Sequence, residues 1–150
     1  IMNSDEKIFK GTNFLICPIE KTSKVAIDKV KEIAFALEFG KTYEITPEFH
    51  DEMIAYTSQL THAIAVSLVN ISNTEETKKF IGDSYRDLTR IAMINEKLWN
   101  ELFLDNKNAL INEIDTFQRE LETIKTAISS GNLQLLEEKF ISSRKKREVM

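Results

Sequence analysis

The sequence predicts a mainly α-helical protein whose first 46 residues form a strand–helix–strand segment. The strand signals lie before residue 46, whereas the longer patterns after it have helical spacing. One of these helical patterns repeats in heptads, which is typical of helices that pack lengthwise against each other. We therefore expect two domains, a small one over residues 1–46 and an all-helical one over residues 47–150.

The small domain is too short to bury a sheet by itself. Its apolar and alternating patterns predict a strand, a helix and a second strand over residues 14–17, 22–39 and 41–46. Thr22 or Ser23 can cap the helix. Gly40 follows the helix where a left-handed C-cap is favoured.

The second domain begins with Thr46 as a cap and Pro47 at the first helical position, which predicts a helix to about Val69 or Asn70. A capping box over residues 72–75 predicts a short helix to about Phe80, broken by Gly82. Further helices are predicted over residues 84–94, 96–130 and, after Gly131 and a capping Asn132, up to Phe140.

An apolar seam runs along the predicted long helix with alternating spacings of four and three. Its members are Leu110, Ile114, Phe117, Leu121, Ile124 and Ile128. The seam could pack inside one chain or meet a second chain. We expect a homodimer, because a helix of this length needs a large partner surface and the other helices offer little.

Composition excludes several classes of protein. The chain has 20 basic and 24 acidic residues, a net charge of −4, which argues against a general nucleic-acid binder. We expect the basic run at residues 144–147 to be a solvated helix end. The lone Cys17 excludes an internal disulfide and a cysteine-based zinc cluster, and no signal peptide is visible. We expect a cytoplasmic protein without a metal, and Ile1 suggests a fragment or a start at Met2.

The segment over residues 50–62 raises the first question of function, because it places Ser58 and His62 four residues apart in a largely uncharged helix. Hydroxyl and amide side chains argue against a membrane span here. Buried polar groups need hydrogen-bond partners, so the pair is either a satisfied part of the core or part of a site. Two histidines make a poor metal ligand set, and this spacing is not usual for a catalytic triad.

A second cluster lies at residues 85–90, where Arg86 and Arg90 are four residues apart with Asp87 close enough to orient one of them. An arginine fork suits a carboxylate, since two parallel hydrogen bonds match its two oxygens. The alternative is an ordinary surface ion pair. Trp99 and Phe103 follow as large apolar or stacking groups.

Taken together, these segments resemble the C-terminal part of a prephenate dehydrogenase. That family commonly shows a TP–E–HD start, an S-H-L-P-H element and then A-L-V-N, and residues 46–70 read TPEFHDEMIAYTSQLTHAIAVSLVN. It then shows G-F-R-D-x-T-R-I-A, a tryptophan and a long helix, and residues 82–92 read GDSYRDLTRIA before Trp99. FLICPIE is similar to the family's Y-I-L-T-P strand, so the likeness covers most of residues 13–147.

The resemblance implies an enzyme that oxidatively decarboxylates prephenate to 4-hydroxyphenylpyruvate with NAD, on the route to tyrosine; some members prefer arogenate or NADP. It implies a Rossmann-like nucleotide domain, of which residues 1–46 would be the tail, and a helical domain that dimerises through long intertwined helices. By matching position, Ser58 and His62 would face the substrate and Arg90 would hold a carboxylate. Trp99 would lie near the entrance, with Arg86 and Asp87 in supporting roles.

The sequence departs from the family pattern in four places. Gln59 and Thr61 replace a histidine and a proline, and residues 83–85 replace G-F and add a negative charge near a dianionic substrate. A G-x-G-x-x-G motif and the H-P-M segment with the catalytic histidine are absent from these 150 residues. We therefore expect this chain alone to be inactive and to hold no cofactor. The alternative is a stand-alone helical module that dimerises without catalysis.

Overall fold

The computed structural model describes residues 7–150 and is mainly helical, as predicted. The chain forms two compact units, one ending at Ile54 and the other spanning Ala55–Met150. None of the helices among the described residues combines the length and the apolar character that crossing a bilayer requires.

The first unit contains the predicted strand–helix–strand segment. Strands β1 (Asn13–Ile16) and β2 (Lys41–Glu44) pair in parallel, with Asn13 opposite Lys41, and helix α1 (Lys24–Ala36) connects them. The Ser23 hydroxyl accepts a hydrogen bond from the backbone N–H of Ala26 at 3.2 Å, so the predicted N-cap is confirmed. Two neighbouring parallel strands need a crossover connection, and helix α1 provides it between β1 and β2.

The prediction of a left-handed Gly40 is wrong. The helix ends earlier than predicted, and Glu38 takes the left-handed conformation, with φ +58°. A glycine is instead needed at position 40 because the backbone of Gly11 approaches it closely. A Cβ at this position would lie 2.6 Å from the carbonyl oxygen of Gly11. The backbone N–H of Gly40 donates to Thr12 at 2.8 Å, and that of Gly11 donates to Glu38 at 2.9 Å.

Helix α2 (Pro47–Ile54) begins as predicted, since the Thr46 hydroxyl accepts a hydrogen bond from the N–H of Phe49 at 3.1 Å. The prediction of one uninterrupted helix to Asn70 is wrong. A π turn (Ala55–Gln59) follows α2, and helix α3 (Leu60–Asn70) comes after it. A π turn contains more residues than an α turn, so it shifts which side chains share a face, and such turns are frequent at functional sites.

The other helices are α4 (Thr74–Thr77), α5 (Asp83–Thr89) with a 3₁₀ turn (Arg90–Ala92), α6 (Glu96–Asp105), α7 (Lys107–Ser129) and α8 (Leu133–Glu148). Asn73, not Ser72, caps α4. The helix predicted over 96–130 is broken at Asn106, and the last helix continues beyond Phe140. Gly131, with φ +65°, and the Asn132 cap occur where predicted.

The core of the second unit is small. Helix α7 packs against the π turn, α3, α6 and α8, and the 3₁₀ turn packs against α3. The buried apolar residues are Ala55, Leu60, Ala65, Leu110 and Ala127. Along the seam of α7 exposure rises from 4% at Leu110 to 53% at Leu121 and 64% at Ile128. The seam is therefore only half covered by its own chain.

Candidate functional site

The π turn and α3 carry Ser58 and His62, which interact through the backbone rather than through both side chains. The Nδ1 atom of His62 lies 2.9 Å from the carbonyl oxygen of Ser58, and the Thr61 hydroxyl donates to the same oxygen at 2.6 Å. A carbonyl oxygen only accepts, so Nδ1 carries the proton. The Nε2 atom of a neutral His62 is then an acceptor directed away from this bond. This geometry argues against a serine–histidine nucleophile pair.

Trp99 of α6 stacks on His62. The two ring centroids lie 3.7 Å apart with an interplanar angle of 30°. Phe103, one turn further along α6, packs edge-on against Trp99 at 5.6 Å and 87°. Asn95 begins the helix by accepting hydrogen bonds from the N–H groups of Lys97 and Leu98, both at 3.1 Å. Ser58, His62 and Trp99 are all half-buried, so this aromatic cluster borders solvent.

Gln59 is the residue whose importance the sequence analysis missed. Its side chain is 4% exposed, which makes it the one buried polar residue among those that the structure describes. Its Nε2 donates to the carbonyl oxygen of Leu102 at 2.9 Å, and its Oε1 accepts from Nδ2 of Asn106 at 2.9 Å. The sequence did contain a signal for Gln59, namely a side-chain amide inside a largely apolar stretch. A buried amide needs hydrogen-bond partners.

The two arginines have different surroundings. Arg86 donates from Nη1 to Oδ1 of Asp83 at 2.6 Å, and both side chains are exposed. Asp83, three residues earlier on α5, therefore orients Arg86, because residues three apart share a helix face. The added negative charge at Asp83 is thereby paired. Asp87, which we expected to be close enough to orient one of the two arginines, forms an ion pair with neither within residues 7–150.

Arg90 is the first residue of the 3₁₀ turn and is exposed. Within residues 7–150 its side chain makes no hydrogen bond or ion pair. The turn packs on α3, the helix that carries His62. The fold thus brings Ser58, His62 and Trp99 together and leaves Arg90 available beside the same helix.

The second unit also contains two concave surfaces, and neither is lined by Ser58, His62, Trp99 or Arg90. An apolar groove of about 440 Å³ lies between α3 and α7, and we call it the α3–α7 groove. It is lined mainly by Ile64, Leu68, Leu88, Ile114, Phe117 and Leu121. A more polar cleft of about 540 Å³ lies between the π turn, α7 and α8, where Lys139 donates to both carboxylate oxygens of Glu120 at 2.8 Å.

No cluster of three or more potential metal ligands occurs among the described residues. Cys17 is a free and exposed thiol. The candidate site consists of the imidazole of His62, the indole of Trp99, the hydroxyl of Ser58 and the guanidinium of Arg90. These groups suit an aromatic or cyclic organic anion, because the rings offer a stacking surface and arginine binds carboxylates.

Comparison with known protein families and known proteins points to one enzyme family. Residues 46–142 match the family described as prephenate dehydrogenase, dimerization domain. The chain is 27% identical to the prephenate dehydrogenase of Bacillus subtilis (strain 168) over 148 residues, which is 95% of this chain and 40% of that protein. It is 34% identical to the cyclohexadienyl dehydrogenase of Zymomonas mobilis over 114 residues, or 72% of this chain and 39% of that protein.

Among solved structures, the fold is similar to that of prephenate dehydrogenase from A. aeolicus in complex with hydroxyphenyl propionate and NAD+. The TM-score is 0.81 at 28% identity, covering 94% of this chain and 51% of that one. The chain thus spans about two fifths of the length of the two curated relatives and about half of that structure. Because the family match extends over well more than half of these 150 residues, the chain belongs to the prephenate dehydrogenase family and carries its dimerization domain.

Proposed function

We propose that this chain is the substrate-binding and dimerisation part of a prephenate dehydrogenase. The complete enzyme would convert prephenate to 4-hydroxyphenylpyruvate by NAD-dependent oxidative decarboxylation, with arogenate and NADP as the alternative substrate and cofactor. The observation that carries this proposal is the His62–Trp99 stack beside Ser58, on a helix against which the turn bearing Arg90 packs.

Each of these groups has a role suited to a cyclic dicarboxylate. The guanidinium of Arg90 is exposed and unpaired among the described residues, so binding a carboxylate costs it no existing ion pair. The Nε2 of His62 and the Ser58 hydroxyl would contact polar groups of the substrate, and Trp99 would cover its ring. Arg86, already paired with Asp83, would contribute positive charge without direct contact.

The relative from A. aeolicus supports this arrangement, because it was solved with hydroxyphenyl propionate, an aromatic ring joined to a carboxylate. The same relative was solved with NAD+. In residues 7–150, however, the two glycines that precede the strands lie against each other, since the lack of a Cβ at Gly40 leaves room for the Gly11 carbonyl oxygen. That arrangement offers no cradle for a pyrophosphate, so the complete enzyme would bind NAD through residues outside this segment.

We further propose a cytoplasmic homodimer, formed through the exposed end of the α7 seam. Leu121 and Ile128 are more than half exposed on a helix of 23 residues. An apolar stripe of this length is costly to leave in water, and a second copy offers the same stripe. The dimerization-domain match supports this assignment.

The substrate role can be tested by binding. Hydroxyphenyl propionate is titrated into the 150-residue chain while the emission of Trp99, its only tryptophan, is recorded. We expect saturable binding, and we expect Arg90→Ala to weaken it by about 10- to 100-fold, because a hydrogen bond to a charged group contributes about 1.5–3 kcal/mol. Arg144→Ala is the matched control, since Arg144 is an exposed arginine on α8.

Equal affinity in the Arg90 and Arg144 variants would remove the role of Arg90, and no saturable binding by the unaltered chain would remove the substrate site. The assignment to a complete enzyme has its own test in the coding sequence upstream of Ile1. An in-frame strand followed by a glycine-rich dinucleotide motif supports it. A stop codon there would favour the stand-alone module.

A further inference from the structure

We infer that Gln59 is a positioning residue that holds Trp99 against His62 by clamping the junction between α6 and α7. The inference rests on the proposed function, since it assigns a purpose to the geometry of that same site. Gln59 does not contact either ring in the observed bonds. It acts through the helix that carries Trp99.

The clamp consists of two hydrogen bonds from one buried amide. Leu102 lies in the last turn of α6, where carbonyl oxygens run short of backbone donors. The N–H of Asn106 bonds Leu104 at this helix end, and Nε2 of Gln59 supplies a donor to Leu102 at 2.9 Å. The Asn106 side chain, at the break between the two helices, donates to Oε1 of Gln59 at 2.9 Å.

The clamp is close in sequence to both rings. Gln59 precedes His62 by three residues, and Leu102 follows Trp99 by three residues, so each end of the clamp lies within one helical turn of a ring. The π turn is what presents Gln59 to α6, since it ends at Gln59. A change in the Gln59–Leu102 bond therefore alters the placement of Trp99 through α6.

The chemistry of the clamp explains which residues fit at position 59. The pocket requires one donor toward a carbonyl oxygen and one acceptor toward an amide N–H. A glutamine amide supplies both, and a neutral imidazole also supplies one of each. The histidine in the similar S-H-L-P-H element would therefore meet the same requirement. Leucine has the size but neither group, and would leave Leu102 and Asn106 without this partner.

The test compares three variants of the 150-residue chain by Trp99 emission, which reports the stack on His62. Gln59→Leu removes both hydrogen bonds, and Gln59→His retains a donor and an acceptor. Asn132→Ala removes the N-cap of α8, an exposed hydrogen bond from the N–H of Leu135, and is the control for general destabilisation. Helix content is monitored by circular dichroism. We expect Gln59→Leu to shift the emission, while Gln59→His and Asn132→Ala keep the emission of the unaltered chain.

A double-variant cycle separates positioning from simple loss of stability. If Gln59 acts through the stack, adding Gln59→Leu to His62→Ala changes the emission no further, because the contact that it controls is already gone. Independent, additive changes would overturn the inference, as would an equal shift in Asn132→Ala. If Gln59→Leu does not fold, Asn106→Ala removes the hydrogen bond to Oε1 of Gln59 and leaves the Gln59–Leu102 bond in place, and an unchanged emission in that variant would overturn the inference.

Ligand binding then distinguishes this inference from the proposed function. We expect Gln59→Leu to weaken binding of hydroxyphenyl propionate by at least about 10-fold and Gln59→His to restore it. If the unaltered chain binds the ligand and Gln59→Leu binds equally well, the positioning role fails and the substrate site stands. If the unaltered chain does not bind, the proposed function fails, and the emission cycle still decides whether the clamp controls the stack.

Discussion

Replacing Leu121 by glutamate should disrupt the proposed dimer. Leu121 lies in the α3–α7 groove and on the α7 seam, and 53% of its surface remains exposed in one chain. Complete burial of a leucine side chain contributes about 1.5–3 kcal/mol, so covering the exposed half contributes about 0.8–1.5 kcal/mol. A two-fold axis uses each contact twice, which doubles this to about 1.5–3 kcal/mol per dimer.

This free energy corresponds to about a 10- to 150-fold change in the dissociation constant of the dimer. A glutamate adds the cost of removing a carboxylate from water, so we expect Leu121→Glu to weaken association by at least about 100-fold. Sedimentation equilibrium across a concentration series measures the constant directly. Val25→Glu is the control, because Val25 is 71% exposed and lies outside the family-matched residues 46–142.

Two outcomes would refute this reasoning. The unaltered chain could sediment as a monomer at tens of micromolar, as a rough working range, which would leave the seam without its proposed partner. Alternatively, Leu121→Glu could dimerise as tightly as Val25→Glu does. The seam would then be an exposed apolar stripe with no role in association.

Two further predictions concern the first unit. Gly40→Ala should lower the free energy of unfolding by about 1–3 kcal/mol in a urea melt, because its Cβ would lie 2.6 Å from the Gly11 carbonyl oxygen; an unchanged midpoint would contradict this. The hydrogen bond to Glu44 raises the pKa of Lys31 above its ordinary 10.5, so the bond stabilises the fold below that pH and this effect is lost as the pH rises through the raised pKa. Lys31→Met should therefore lower the melting temperature slightly at pH 8 but not at a pH well above 10.5, and an equal difference at both would disprove the assignment.

Local signals in the sequence were sufficient wherever one short segment decides its own conformation. Thr46 and Asn132 cap the helices that they were predicted to cap, and Ser23 is the one of the two candidates, Thr22 and Ser23, that caps α1. A cap needs only a side-chain oxygen and the N–H groups that follow it. The strand–helix–strand order was also predictable, since a short apolar run, a helical spacing and an alternating segment each mark one element. The family resemblance rested on two motifs in order, and the match to residues 46–142 confirms it.

The predictions failed where distant segments compete for the same backbone. The helix over residues 96–130 was predicted as continuous because its apolar spacing is continuous, yet it breaks at Asn106, whose side chain bonds Gln59 from 47 residues earlier. The π turn at Ala55–Gln59 also escaped prediction, since its residues read as ordinary helix. We expected Asp87 to orient Arg86 or Arg90, yet Asp83 pairs with Arg86, because both carboxylates are within reach along the chain.

By itself the sequence determined the fold class, most helix starts, the apolar seam of α7 and the family, because each depends on residues close together or on a motif. Tertiary structure alone decided that His62 stacks on Trp99, that Gln59 is buried between the π turn and α6, and that the seam is covered at Leu110 but exposed at Leu121. The contacts of His62 with Trp99, of Gln59 with Leu102 and of Gln59 with Asn106 join residues 37, 43 and 47 positions apart. Packing and the need to satisfy buried polar groups select them, and neither leaves a periodic trace in the sequence.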